Sequence, residues 1–393
     1  MFRRISFARP GGEVLTLAAL AVLVFALSVL PMARLLLEAL APDGVPSLRL
    51  LLAAWDNPRV WTATRNTIEV AVLGTALSVA VGGGMALLVA LSDIRAKAVL
   101  VFLFMVPLMI PPQVNALAWL QLCGPASVLL NMIGVAPAPG SPNPLYSREG
   151  IILLLGIQHA PLVFLALRAG LRSMPRELVE AARACGAGRW RVLKDVVVPL
   201  TLPPLVAGAA LAFVSAVGNF GIPALLGIPG RYLTLPTLIY QRLANFGPSV
   251  IAETAALSIL VGAIAFAGVL VQSWLLGRRD YRTIGAPAAP LAMSLGGARP
   301  WVESACWAVI ALVLAAPLLA LFVTALVPAY GVRLNADTAT LAAFKQVLFT
   351  PGATARAFRN SLLLAGAAAL VLTMCAVPLA YFIVWKRSRM LRV

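Results

Sequence analysis

Apolar residues fall in eight long runs, near Val14 to Leu37, Thr67 to Leu91, Ala98 to Leu122, Gly150 to Leu171, Leu202 to Leu226, Val250 to Leu276, Val302 to Val327 and Asn360 to Trp385. A helix needs about 20 predominantly apolar residues to cross a bilayer, and every run meets that length. Short polar segments separate them. The pattern predicts an all-α, polytopic membrane protein of about eight transmembrane helices.

Composition agrees, with 61% hydrophobic and 11% charged residues; soluble domains carry about a quarter charged. The net charge of +17 does not indicate nucleic acid, because the basic residues are scattered between apolar runs and do not gather on one aromatic-studded face. They set orientation instead. With the N-terminus inside, the inner segments hold Arg3, Arg4 and Arg9; Arg95 and Lys97; Arg168, Arg172, Arg176, Arg183, Arg189, Arg191 and Lys194; Arg278, Arg279, Arg282 and Arg299; and Lys386, Arg387, Arg389 and Arg392. That is most of the 31 Lys and Arg, so the positive-inside rule favours a cytoplasmic N-terminus. The first run is too long for a cleaved signal peptide and reads as a retained span. Cys123, Cys185, Cys306 and Cys375 show no paired spacing and read as packing residues, with no disulfide frame and no metal site.

One cytoplasmic segment, Pro175 to Pro199, is charged and patterned at once. Pro175 suits a first helical turn, Glu177 and Glu180 suit the positive end of a helix dipole, and Gly186 suits a left-handed stop. Leu178, Ala181, Ala182 and Cys185 recur at helical spacing, a face small enough for another surface to approach closely. Two readings stand on charge and pattern: a docking element for a cytoplasmic partner, or a basic juxtamembrane helix on anionic lipid.

The segment closely resembles the cytoplasmic loop of the permease subunits of binding-protein-dependent ABC importers, whose signature runs Glu-Ala-Ala, three residues, Gly, nine residues, Ile, one residue, Leu-Pro. Glu180, Ala181, Ala182, Gly186, Val196, Val198 and Pro199 occupy those places without a gap, Val replacing both Ile and Leu. The resemblance implies the type I importer permease fold, a multi-pass protein of the bacterial inner membrane, and a loop over 171–199 in which Arg176, Glu177, Glu180, Ala181, Ala182, Gly186, Val196 and Pro199 couple to an ATPase. It implies two copies of that ATPase, which hold ATP and magnesium, an extracytoplasmic substrate-binding protein, and surrounding membrane lipid. No Gly-x-x-x-x-Gly-Lys-Ser/Thr occurs in the chain, so no phosphate-cradling loop is present. Nor does the sequence offer a catalytic triad, a carboxylate pair or a metal cluster, and the chain reads as a transport subunit, not an enzyme, with no cofactor of its own.

Laid over itself, the sequence places Arg65-Asn66-Thr67 on Arg359-Asn360-Ser361, and Pro31, Ala39 and Leu40 on Pro317, Ala325 and Leu326. Such order marks a duplication. The expected division is a first copy of six spans over 1–285 and a partial second copy of two spans over 286–393. The family branch most resembled is the fused, double-length one with two such loops, so the expectation is either a fragment or truncated gene product, or a separate polypeptide that supplies the rest of the second copy.

Asn219-Phe220-Gly221-Ile222-Pro223-Ala224-Leu225-Leu226-Gly227, followed by Leu233 to Tyr240, resembles the ferric-iron branch of these importers. Gly218, Gly221 and Pro223 are expected to loosen or break the fifth run, exposing carbonyls tolerable only inside protein or along a wet cavity. Gln113, Asn115, Ser215, Asn219 and Phe220 are the candidate translocation path. For the intramembrane polar groups Gln113, Asn115, Gln121, Gln158 and His159 interhelical hydrogen bonding is the default reading and lining a path the sharper one, and for the glycines the alternative is tight packing. The substrate expectation is ferric iron, with thiamine, phosphonate or polyamine, a secondary transporter, or a nonfunctional truncated fragment as alternatives.

Overall fold

A computed structural model describes residues 10–42, 44–245, 247, 250–277, 294–350 and 352–382. The fold is all-helical, as the apolar pattern predicts. Seven helices are long and apolar enough to span a membrane: Leu15–Leu40, Pro58–Leu91, Arg148–Arg172, Trp190–Val217, Val250–Gly277, Gly296–Thr324 and Ala353–Ala380. The eighth crossing is a bent pair, Lys97–Met109 followed by Pro112–Met132, with 103° between its halves. In chain order these are spans one to eight, the bent pair being the third.

Three spans correct the bounds read from the sequence. The run Ala98 to Leu122 is not one helix, because Pro111 and Pro112 remove consecutive amide donors and push Ile110 into extended backbone (ψ 128°). The fifth span begins earlier than Leu202 and ends at Val217, well before Leu226; Gly218 to Phe220 interrupt it, and Gly221–Leu226 forms a separate short helix. The second span also starts at Pro58, not Thr67, since Val60 and Ala63 are buried against Leu235, Leu238 and Leu257. Packing there overrides a polar sequence.

Two compact units divide the chain. One, Met1–Ser47 with Leu341–Val393, holds the first and eighth spans; the other, Leu48–Thr340, holds the rest. The expected boundary between copies at 285 lies outside the described residues, as do Arg3, Arg4, Arg9, Arg278, Arg279, Arg282 and the basic residues from Lys386 onward.

The second unit is built around the fourth span, which packs on the second and fifth. Small residues set the distances. A Cβ on Gly82 would lie 2.1 Å from the Ala160 carbonyl oxygen, and Ser78 Oγ donates to the Gly156 carbonyl at 2.8 Å. Gly82 lies in a π-helical turn, Val79–Gly83, inside the second span. That wider turn interrupts the regular ladder where the two backbones meet. Two apolar clusters stack along this core. The first gathers Val70, Trp119, Leu154 and Ala320. The second joins Phe104 and Phe164 to Val179, Val192 and Cys306. The seventh span therefore packs within this unit, against both halves of the broken third span.

Candidate coupling loop and broken-helix site

The predicted short helix after the fourth span is present as Arg176–Ala184. Pro175 sits at its N-cap, one position before the first turn the sequence suggested, with extended backbone (φ −62°, ψ 131°). The stop is as expected. Gly186 has φ +80°, its N–H donates to the Arg183 carbonyl at 2.9 Å, and the Ala187 N–H donates to the Ala182 carbonyl at 3.0 Å. Those two bonds form a Schellman motif, which needs a residue at positive φ and so favours glycine.

The helix presents two faces. Val179, 3% exposed, and half-buried Ala182 seat it in the second apolar cluster beside Leu171 and Val192. Glu177, Leu178, Glu180, Ala181 and Cys185 are exposed. The predicted face of Leu178, Ala181, Ala182 and Cys185 is thus corrected at one member: Ala182 turns inward with Val179, and the other three remain outside. Downstream, Val196 and Pro199 are half-buried while Val197 is buried. The Arg176 side chain lies outside the described set.

The second site lies where the third and fifth spans break. Proline at 111 and 112 leaves carbonyls without helical partners, and the fourth span supplies one. Gln158 Nε2 donates to the Pro107 carbonyl at 2.9 Å and the Ile110 carbonyl at 3.3 Å. Its Oε1 accepts from Asn115 Nδ2 at 2.7 Å. Asn219 Oδ1 accepts from the Ile222 N–H at 3.1 Å, starting the short helix after the second break. The breaks touch: a Cβ on Gly221 would fall 3.0 Å from the Gln113 backbone nitrogen.

The five predicted path residues separate accordingly. Asn115 and Asn219 are buried, Asn115 in the interhelical bond to Gln158 and Asn219 at the start of the short helix. Gln113 and Ser215 are exposed. Phe220 stacks on Tyr240 with ring centroids 4.9 Å apart, and with Gly218, Pro236 and Ser258 lines a cavity of about 350 Å³. Gln158 makes the interhelical hydrogen bonds expected of an intramembrane amide, but the sequence reading does not assign its place at the bend. Its signal was available as three prolines, Pro107, Pro111 and Pro112, inside one apolar run, which demand a donor from a neighbouring helix. Among the described residues no group of three His, Cys, Asp or Glu is arranged to hold a metal ion.

At the end of the second span nearer Pro58, a clamp holds the loop after the second break. Asn66 Nδ2 donates to the Leu233 carbonyl at 2.8 Å, Thr67 Oγ1 accepts from the Leu235 N–H at 2.8 Å, and Tyr232 donates to Glu69 at 3.0 Å. Glu69 also pairs with Arg148 at 3.2 Å. Glu253 pairs with Arg242 at 2.9 Å and Glu303 with Arg299 at 2.9 Å. Glu69, Glu253 and Glu303 are thus each held by an arginine.

Residues 78–280 match the family model described as binding-protein-dependent transport system inner membrane component. The chain is 31% identical over 221 residues to the molybdenum transport system permease protein ModB of Escherichia coli (strain K12), covering 55% of this chain and 93% of that one. It is 29% identical over 220 residues to the putative 2-aminoethylphosphonate transport system permease protein PhnU of Salmonella typhimurium (strain LT2), covering 54% and 75% respectively. Among solved structures, a bacterial ABC transporter involved in the import of the acidic polysaccharide alginate aligns at a TM-score of 0.49 and 19% identity, over 68% of this chain and 96% of that one.

Proposed function

The chain belongs to the family of binding-protein-dependent transport system inner membrane components, and from that premise we propose that it is the permease subunit of an ATP-driven importer of a tetrahedral oxyanion such as molybdate or a phosphonate. Two ATPase subunits engage the Arg176–Ala184 helix from the cytoplasm, and an extracytoplasmic binding protein delivers the substrate. The observation that carries the reading is that helix: seated on its own bundle by Val179, closed by a Schellman turn at Gly186, and open along Glu180, Ala181 and Cys185. An exposed lipid-facing helix requires no such fixed stop. The substrate class follows the relatives, and amide and hydroxyl donors at Gln113 and Ser215 suit oxyanion oxygens. Ferric iron is the second reading, supported by the resemblance over Asn219 to Gly227.

Proteoliposomes holding the chain, its co-purifying ATPase and its binding protein test both readings through uptake of labelled molybdate, 2-aminoethylphosphonate and ferric ion. ATP-dependent oxyanion uptake is expected. Glu180→Lys should lower it more than tenfold at unchanged membrane insertion, because reversing a docked charge leaves its partner unpaired. Uptake of ferric ion alone would replace the oxyanion reading with the iron one. Full uptake by Glu180→Lys would remove the docking role.

Orientation has its own test. Cys185 is exposed at the end of this helix, whereas Cys306 is buried and Cys123 and Cys375 are partly so. A membrane-impermeant thiol reagent should label Cys185 in inside-out vesicles and leave it unmodified in right-side-out ones. The reverse result would put the loop on the wrong side for any ATPase.

A further inference from the structure

Away from the two sites, the turn between the second and third spans carries a concentration of polar contacts. Ala96 there has φ +53°, a left-handed backbone in which a Cβ crowds the following carbonyl and which a non-glycine residue adopts only when its surroundings hold it. Two carboxylates hold it. Glu303 Oε1, on the seventh span, accepts from the Arg95 N–H at 2.7 Å and from Arg299 Nε at 2.9 Å. Asp93 Oδ1 accepts from the Leu295 N–H at 2.9 Å, and that bond is the main cause holding its carboxyl below the usual range. The bonds run both ways, turn to span and span to turn.

Between them lies a shared apolar seat. Ile94, 4% exposed, belongs to the same cluster as Val179 of the exposed cytoplasmic helix and Cys306 of the seventh span, with Leu295 and Val302 packed against it. The third span starts at Lys97, directly after the strained residue, and its break at Ile110 carries the Gln158 junction. Helix, turn and seventh span therefore share one packed block, and the direction in which the third span leaves that block is set by the backbone at Ala96.

We propose that Asp93 and Glu303 are positioning residues that fasten the seventh span to this turn, so that displacement of the Glu180 helix reaches the broken third span as a rigid-body motion. The proposal rests on the permease reading above. Without the two carboxylates the apolar contacts remain, but they are non-directional and cannot fix the backbone at Ala96.

The test compares Glu303→Ala, Glu303→Gln, and Glu303→Ala combined with Ala96→Gly, in the full chain with its co-purifying ATPase. Hydrogen exchange at the Arg95 amide should be about tenfold faster or more in Glu303→Ala, the scale of one charge-assisted hydrogen bond. Substrate moved per ATP hydrolysed should fall about fivefold or more, at the lower edge of coupling free energies between sites, while the ATPase still co-purifies. Glu303→Gln keeps an acceptor oxygen and should retain most of the coupling. Glycine at 96 removes the strain without restoring direction, so the double variant should regain thermal stability and stay uncoupled. Recovery of coupling together with stability in the double variant would show a merely structural role and overturn the proposal. Unchanged exchange or unchanged coupling in Glu303→Ala would overturn it too, leaving the importer reading intact. A wild-type chain that never couples hydrolysis to uptake brings down the importer reading, and the positioning role with it.

Discussion

Gly82→Ala should unfold or strongly destabilise the Leu48–Thr340 unit, whereas Gly84→Ala, two residues away on the same span, should leave it unchanged or slightly more stable. The difference lies in what a methyl group meets. At Gly82 it would lie 2.1 Å from the Ala160 carbonyl oxygen and 3.2 Å from the Phe164 nitrogen, both backbone atoms of the fourth span; at Gly84 nothing lies within 4 Å. A flexible side chain could move aside, but a helix backbone cannot. Relief requires the second and fourth spans to separate, and that separation is shared along the contact. It would stretch the 2.8 Å bond from Ser78 to the Gly156 carbonyl and loosen Gly156 against Leu77 and Gly74 against Leu155. Overpacking usually costs about 1–3 kcal/mol, sometimes more, and this case adds a strained buried hydrogen bond. About 3 kcal/mol or more is expected, a large share of a total that is often only about 5–15 kcal/mol. At Gly84 the helix propensity of alanine contributes a gain of up to about 1 kcal/mol. Thermal unfolding of the two purified variants in one detergent decides the matter, and a Gly82→Ala protein as stable as wild type would mean that the second and fourth spans do not pack this closely.

How much of this was legible beforehand follows from which interactions are local. The number and order of crossings were readable because hydrophobic length is a property of each run by itself. Gly186 was readable for the same reason: a left-handed stop is written in the residue that adopts it. The inward turn of Ala182 with Val179 was not, since the choice of face depends on Leu171 and Val192, which arrive from neighbouring segments. The second span's polar beginning is helical because Val60 and Ala63 find partners more than 150 residues away, a fact no window of sequence contains. The third span's break was written in Pro111 and Pro112 but hidden by hydropathy, which scores proline mildly and sees an uninterrupted apolar run. At the candidate path, interhelical hydrogen bonding by the amides is legible and holds for Asn115 with Gln158, whereas which polar groups stay exposed is not. Asn115 and Asn219 are polar groups that the fold consumes in closing its own breaks, while Gln113 and Ser215 keep their surface.

Gln158→Leu should lower stability and abolish uptake, and the size of the effect follows from counting what it orphans. The substitution conserves shape and removes one acceptor and two donated bonds, leaving Asn115 Nδ2 and the Ile110 carbonyl without their partner and the Pro107 carbonyl with only the 3.3 Å bond from the Ile110 N–H. Each buried group so stranded costs about 1–3 kcal/mol, and within a membrane no bulk water offers a substitute. The Ile110 bond, at 3.3 Å, is the weakest and the Pro107 carbonyl is only partly stranded, so a loss of about 2–5 kcal/mol is expected. A second substitution separates the contributions. Asn115→Leu alone strands only the Gln158 oxygen, and the pair Asn115→Leu with Gln158→Leu removes both side chains of their bond together, which is much less costly than removing one. In that double variant the Ile110 carbonyl is still unpaired and the Pro107 carbonyl keeps only the bond from the Ile110 N–H. It should therefore recover part of the loss and no more, and it should not recover uptake, because the 103° bend of the third span would have lost the side chain that fixes it. Thermal unfolding and ATP-dependent uptake of the three variants supply the comparison. Full recovery of both in the double variant would show that the amide pair alone matters and that the bend needs no support from the fourth span.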